Sequence, residues 1–126
     1  MLKDDFYRIN SLHSDGDSYT IMLTLEKEHA ILKGHFPGQP VVPGACLVQM
    51  VKEITETVLG KKILLGKGDS IKFLNPIDPN ENNDLQMSIR IAEAEGLGKD
   101  IAAIVSSGAT VYFKFNGSCS FRYSQP

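Results

Sequence analysis

The sequence has little cysteine and no long apolar run. Two cysteines, Cys46 and Cys119, occur in 126 residues, which makes neither a disulfide framework nor a metal-ligand cluster. We therefore expect both to be buried thiols in a reducing cytosol. The first residues, Met1 to Asp5, lack an apolar signal core, and no apolar stretch reaches the length of a membrane span. The sequence therefore predicts a soluble, cytoplasmic protein.

Positive charge is also scarce. Lys and Arg total 13 against 15 Asp and Glu, the formal net charge is -2, and the pI is about 5.9. With no basic block, an electrostatically driven nucleic-acid binder is not expected. No phosphate loop, zinc-ligand spacing or dinucleotide fingerprint is present, so we expect neither a cofactor nor a metal. The length and the 42% hydrophobic content fit a single domain, residues 1–126.

The most distinctive stretch is residues 34–44, with the sequence GHFPGQPVVPG. Its glycines and prolines favour a rigid, irregular backbone, and Pro43 suits a first helical position because that position needs no N–H donor. The unpaired amide of Gly44 could then stabilise negative charge on a carbonyl oxygen, and His35 could act as a base. The alternative is a proline-rich loop that caps a core helix and carries one partly buried histidine.

A helix of about four turns is predicted from Gly44 to Leu59. Its apolar residues recur at spacings of four, three and four, and Gly60 is suited to end it. The apolar stripe is formed by Leu47, Val51, Ile54 and Val58. The polar face opposite is expected to contain Lys52, Glu53, Thr55 and Glu56.

The remaining chain reads as β-strands. Alternation of apolar and polar residues predicts half-buried strands at 19–25 and 85–91, and a compact apolar run predicts another at 101–106. Residues 6–12 are a short mixed run, which is interpreted as a first strand or an edge segment. Residues 61–74 read as strand material interrupted at 66–68, and residues 80–84 as a long mobile loop.

Asn116-Gly117 is a hairpin signal, but residues 111–123 keep one apolar phase through Gly117. One continuous strand with a bend or bulge at this glycine is therefore expected. A single helix among strands argues against a doubly wound parallel fold. The prediction is an α+β domain in which an antiparallel sheet of five to seven strands wraps around the helix.

The spacing H-F-P-G-x-P-x-x-P-G of residues 35–44 resembles the signature of the beta-hydroxyacyl carrier-protein dehydratases, which have the hot-dog fold. Residues 72–79, KFLNPIDP, resemble a strand of that family that ends in two prolines. The resemblance implies a hydro-lyase without cofactor that removes water from a 3-hydroxyacyl thioester of acyl carrier protein or CoA. Fatty-acid or polyene-type synthesis would be the setting. It also implies a homodimer or higher homo-oligomer.

The resemblance further assigns roles to residues of the loop and helix. His35 would face the acyl chain as the base, the Gly44 amide would polarise the thioester carbonyl, and residue 49 would come from the partner subunit. The residues implied to contact substrate are Phe36, Pro43 and Ala45.

The sequence departs from the family at position 49, where the catalytic acid is replaced by Gln49. An amide cannot donate a proton near neutral pH, and a positioned general acid is worth about two to four orders of magnitude in rate. Three alternatives follow: a slow enzyme, an enzyme with a relocated acid, or a weakened subunit that binds acyl carrier protein or completes a heterodimer. Candidates for a relocated acid are Glu53, Asp78 and Asp84, although solvated surface is the expected environment of all three.

Three other side chains have less support for a chemical role. We expect His13 and His29 to be surface residues. Cys46 lies in the first helical turn, where the helix dipole can lower a thiol pKa, but core packing is the preferred interpretation. A hot-dog thioesterase is a further alternative, although such enzymes usually rely on an activating carboxylate on the helix.

Overall fold

The computed structural model describes residues 1–34, 41–94, 96 and 98–121. The strands are β1 (Tyr7–Asp15), β2 (Ser18–Leu25), β3 (Ile63–Phe73), β4 (Asp84–Glu93), β5 (Lys99–Ser107) and β6 (Thr110–Phe121). The helices are α1 (Ala30–Gly34) and α2 (Gly44–Leu59).

The described strands form one six-stranded sheet in the order β1-β2-β4-β5-β6-β3, and every neighbouring pair is antiparallel. Alternation places one face of each inner strand in the core, as in β4, where the buried residues are Leu85, Met87, Ile89 and Ile91. The predicted antiparallel sheet with one long helix is confirmed, and β1 and β3 are its edges.

Helix α2 has the predicted bounds. Its C-terminus is closed by Gly60, which has φ 68 and donates its N–H to the Glu56 carbonyl at 2.8 Å. The expectation that Pro43 occupies a first helical position was wrong, because Pro43 is the extended N-cap residue (φ -62, ψ 141) and Gly44 is the first helical residue. The apolar stripe packs into the core, with Leu47, Met50, Val51 and Ile54 buried.

The prediction of a polar outer face on α2 was wrong at two positions. Glu53 is 1% exposed and Thr55 is 0% exposed. Thr55 lies one turn after Val51 on the apolar side of the helix, and Glu53 is covered by the N-terminal segment, whose Leu2 and Lys3 amides contact its carboxylate. Sequence periodicity also missed α1, which is only five residues long.

Strand β6 is continuous through Gly117, as predicted. A side chain at Gly117 would lie 2.8 Å from the Phe115 ring, so the glycine is required by close packing. The irregularity lies mainly on β3, whose register with β6 shifts on both sides of Gly68. Residues 66–68 therefore form a bulge within one strand and do not divide it.

The loop at 80–84, which the sequence predicts to be long and mobile, forms hydrogen bonds with its own residues and with neighbouring strands. Asn80 donates its N–H to the Asp78 carboxylate at 2.9 Å, and the Asn82 side chain donates to the Ser107 hydroxyl. The N–H of Leu25 donates to the Asn83 carbonyl at 2.7 Å. The loop is thereby joined to β2 and to the end of β5.

Candidate functional site

Pro43 provides no side-chain cap at the N-terminus of α2, and within the described part of the chain the N–H groups of Gly44 and Ala45 have no hydrogen-bond acceptor. Gly44 is half-buried, and an added Cβ would lie 2.7 Å from two ring carbons of Phe73. The Phe73 ring also packs against Phe113, with ring centroids 5.2 Å apart. A side chain at position 44 would therefore displace the Phe73 ring from its place against the helix N-terminus.

An apolar cleft of about 320 Å³ lies beside this helix N-terminus. Its lining comes from the segment preceding α2, from the helix and from the end of β3, and it includes Val42, Leu47, Phe73, Leu74, Pro76 and Ile77. The N–H of Val42 donates to the Ile77 carbonyl at 3.0 Å, which joins the two walls. The cleft has the apolar chemistry that an acyl chain requires.

The predicted site residues are only partly covered by the described chain. His35 and Phe36 lie outside the described residues. Pro43 is half-buried beside the cleft wall, and Ala45 is exposed in the first turn of α2. The structure therefore describes the helix half of the predicted site.

Gln49 is half-buried on α2, and its amide nitrogen donates a hydrogen bond of 2.8 Å to Oε2 of Glu53. Its carbonyl oxygen accepts no hydrogen bond from the part of the chain that the structure describes. The amide nitrogen of Gln49 is thus bonded within its own helix, and its carbonyl oxygen is available to accept a hydrogen bond.

Glu53 is the centre of a hydrogen-bonded cluster that the sequence did not predict. Its carboxylate accepts the Leu2 N–H at 2.9 and 3.1 Å, the Lys3 N–H at 2.8 Å and the Tyr7 hydroxyl at 3.2 Å, in addition to Gln49. The N-terminal segment, β1 and α2 meet at this one side chain. A sequence signal existed, since Glu53 lies four residues after Gln49 and beside the buried Met50 and Ile54.

This cluster keeps Glu53 ionised. Burial by itself raises the pKa of the carboxyl, but the donors from Leu2, Gln49, Lys3 and Tyr7 outweigh burial and leave the pKa below its ordinary value. Burial and the negative charge of Glu53 raise the pKa of Tyr7, so the phenol stays protonated as a donor. Glu53 is therefore a hydrogen-bond acceptor near neutral pH and has no proton to donate.

The side chains of the other two candidate acids accept hydrogen bonds from neighbouring residues of the fold. Asp78 accepts the Asn80 N–H in the loop, and Asp84 Oδ1 accepts the Thr24 hydroxyl at 2.7 Å. Neither lines the apolar cleft.

Cys46 and the two remaining histidines also have defined environments. Burial raises the pKa of the Cys46 thiol, so the preference for packing over a nucleophilic role is supported. His13 is exposed, as expected.

His29 was wrongly assigned to the surface. Its side chain is 15% exposed, and its ring lies edge-on to Phe6 at a centroid distance of 5.4 Å. Nδ1 accepts the Ile31 N–H at 3.0 Å, while Nε2 lies 3.1 Å from the Asp5 carboxylate. The ring fixes the start of α1, the helix that directly precedes His35 in the sequence.

Within the described ranges there is neither a metal-ligand cluster nor a helix that could span a membrane. No three His, Cys, Asp or Glu side chains there are grouped to hold a metal ion. In the same part of the chain, no helix has the length and apolar character needed to cross a membrane.

Comparison with known proteins identifies the family. A family model described as ApeI-like, ApeI dehydratase, matches residues 11–108. The 3-hydroxyacyl-[acyl-carrier-protein] dehydratase FabZ of Clostridium acetobutylicum is 28% identical over 82 residues, which cover 59% of this chain and 58% of that protein. FabZ of Ligilactobacillus salivarius is 31% identical over 90 residues, which cover 65% of this chain and 63% of that protein. The chain thus matches about three fifths of the length of these relatives.

A solved structure shows the same fold. The dehydratase heterocomplex ApeI:P from Xenorhabdus doucetiae superimposes with a TM-score of 0.71 at 18% identity, covering 89% of this chain and 96% of that one. Together with the family match over residues 11–108, the likeness shows that the chain belongs to the ApeI-like family and is a dehydratase-like protein with the hot-dog fold.

Proposed function

We propose that this chain is the base-bearing subunit of a heteromeric dehydratase that acts on 3-hydroxyacyl thioesters of acyl carrier protein. The observation that carries the proposal is the hydrogen bond from Gln49 to Glu53. It joins an amide that has no acidic proton to a carboxylate that is held ionised, so neither helix side chain can protonate a leaving hydroxyl.

In this reaction, His35 removes a proton from the carbon next to the thioester carbonyl. The negative charge that develops on the carbonyl oxygen is stabilised by the Gly44 N–H at the uncapped start of α2. The carbon–oxygen bond to the 3-hydroxyl then breaks, and the hydroxyl takes up a proton and leaves as water. This proton comes from an acidic side chain on another subunit.

The apolar cleft supports an acyl substrate. Its aliphatic and aromatic lining lies directly beside Gly44, so the chain of a bound thioester can enter the cleft while the carbonyl lies at the helix N-terminus. Pro43 and Ala45 flank this position.

The edge strand β3 supports association with a second chain. It ends the sheet, and its apolar side chains Leu64, Ile71 and Phe73 are 52%, 42% and 60% exposed. An exposed edge with such side chains is suited to pair with another strand. The structural similarity to the ApeI:P heterocomplex favours a heteromeric partner. A homodimer would bring a second Gln49 and no acid.

The test is to incubate the purified chain with a 3-hydroxyacyl carrier-protein thioester and to follow the enoyl product by mass spectrometry. The assay is run with the chain alone and with a dehydratase of the same organism that has a carboxylate at the position of Gln49. We expect negligible dehydration by the chain alone and dehydration that depends on His35 in the mixture. For that readout, the partner's own histidine is replaced by alanine.

The alternatives give different products or dependences. Rapid dehydration by the chain alone, abolished by His35→Ala, would establish a self-sufficient homomeric dehydratase and refute the heteromeric proposal. Release of a free fatty acid would indicate a thioesterase. Repeating the assay with a CoA thioester distinguishes the two carriers.

A further inference from the structure

The hydrogen-bonded cluster around Glu53 determines which atom of the Gln49 amide points toward the Glu53 carboxylate and which points away from it. An ionised carboxylate has lone pairs and no hydrogen, so it can only accept. The nitrogen of the Gln49 amide must therefore be the atom that contacts Glu53, at 2.8 Å. The amide is planar, so its carbonyl oxygen lies on the other side of the group.

Glu53 has little freedom to release this contact. It is 1% exposed, and two backbone amides and one hydroxyl from outside the helix hold the carboxylate in place. Gln49, by contrast, is half-buried, and its carbonyl oxygen accepts no hydrogen bond from the described chain. The orientation of the Gln49 carbonyl oxygen is thus set by the buried Glu53 carboxylate, which holds the amide nitrogen on the opposite side of the amide group.

We propose that Glu53 is the positioning residue of this site, and that it turns the Gln49 carbonyl oxygen toward the substrate to accept a hydrogen bond from the 3-hydroxyl group. The inference rests on the proposed function, because it assigns Gln49 a contact with the 3-hydroxyacyl thioester. Gln49 would then recognise the hydroxyl without protonating it. The subunit would select 3-hydroxyacyl chains over saturated ones.

The experiment measures this selection by NMR titration of the ¹⁵N-labelled full chain. The two probes are the pantetheine thioesters of 3-hydroxyoctanoic acid and of octanoic acid, which differ only at the hydroxyl. We expect the wild type to bind the hydroxy compound about threefold to tenfold more tightly, the effect of one hydrogen bond.

Glu53→Gln is expected to bring this ratio close to one while leaving the affinity for the octanoyl probe unchanged. The replacement can still accept from the backbone amides, but it no longer fixes the orientation of the Gln49 amide. Gln49→Leu should bring the same loss, and the double variant should lose no more than either single variant. Glu53→Asp, which retains the charge and withdraws the carboxylate from Gln49, serves if Glu53→Gln fails to fold.

Glu56→Gln is the matched control. Glu56 lies on the same helix and accepts a backbone N–H, from Ile63 at 2.9 Å, but no hydrogen bond in the described structure joins it to Gln49. This variant should retain the wild-type ratio.

The outcomes separate the inference from the proposed function. If Glu53→Gln weakens both probes equally, or if the side-chain amide signals of Gln49 do not move, Glu53 has a structural role only and the inference is refuted. If the wild type prefers the hydroxy probe and the preference survives in Glu53→Gln, only the inference falls. If the wild type binds neither probe, the proposed function falls and the inference falls with it.

Discussion

The amide nitrogen of Gln49 donates a 2.8 Å hydrogen bond to Oε2 of Glu53, one turn further along α2. The acid that the dehydratase resemblance places at position 49 is thus replaced by a neutral amide, and the nearest carboxylate is buried and hydrogen-bonded to the N-terminal segment. Gln49 therefore has no acidic proton to donate, whereas its carbonyl oxygen can accept a hydrogen bond.

Gln49→Glu should raise dehydration by the chain alone by about two to four orders of magnitude, because it restores a general acid. The ionised Glu53 beside the new carboxyl should raise the pKa of the new carboxyl, which favours the acid form near neutral pH. The measurement is enoyl formation by mass spectrometry, with Gln49→Leu as the control that removes the amide without adding an acid. Unchanged activity would place the proton donor elsewhere.

The wild type and a double variant, each inactive by itself, should be active when they are mixed. If residue 49 acts across the subunit interface, a mixture of wild type with the double variant His35→Ala, Gln49→Glu forms sites that contain His35 from one chain and the new glutamate from the other. Dehydration should appear after subunit exchange and reach roughly the activity of Gln49→Glu within one order of magnitude, since only part of the dimers are mixed. An inactive mixture alongside an active Gln49→Glu variant would show that both residues act within one chain.

The stability of the fold should depend on the ionisation of Glu53. Its folded-state pKa lies below its unfolded value, so its contribution is present above the unfolded pKa and is lost as the pH falls through the folded pKa. Near neutral pH, Glu53→Gln should lower the free energy of unfolding by about 1–3 kcal/mol. Urea unfolding of both proteins at about pH 7 and about pH 3 measures the difference, which should shrink in acid. A difference that is independent of pH would contradict this assignment.

Thr55→Val should stabilise the protein by about 1 kcal/mol, because the Thr55 hydroxyl is buried and has no hydrogen-bond partner among the described residues. Valine has nearly the same shape and does not carry the desolvated hydroxyl. Thr57→Val is the matched control, since the Thr57 hydroxyl is paired, donating to the Glu53 carbonyl at 3.0 Å. Thermal unfolding that shows Thr55→Val to be the less stable of the two would refute the prediction.

Gly44→Ala should disturb the start of α2, because the new Cβ would lie 2.7 Å from the Phe73 ring. We expect a loss of about 1–3 kcal/mol in the free energy of unfolding together with weaker binding of acyl thioesters. Combining it with Phe73→Leu should recover part of the stability, since the leucine side chain can avoid the Cβ. A double variant with strictly additive losses would show that the contact is unimportant.

The sequence by itself determined the framework. Alternation defined β2 and β4, the four-three-four spacing and Gly60 defined both ends of α2, and the constant apolar phase through Gly117 defined β6 as one strand. These features follow from local periodicity and backbone preference, which a sequence carries residue by residue. The spacing H-F-P-G-x-P-x-x-P-G of residues 35–44 also indicated the dehydratase family.

Only the tertiary structure decided the environment of the polar residues on α2. The helical position of Glu53 is readable from the sequence, but its burial depends on residues about 50 positions earlier in the chain, whose backbone amides close over it. Thr55 is also fully buried, although the sequence predicted it on the polar face of the helix. Long-range contacts of this kind leave no periodic signal in the sequence. They fix the Glu53 carboxylate, and the carboxylate in turn orients the Gln49 amide.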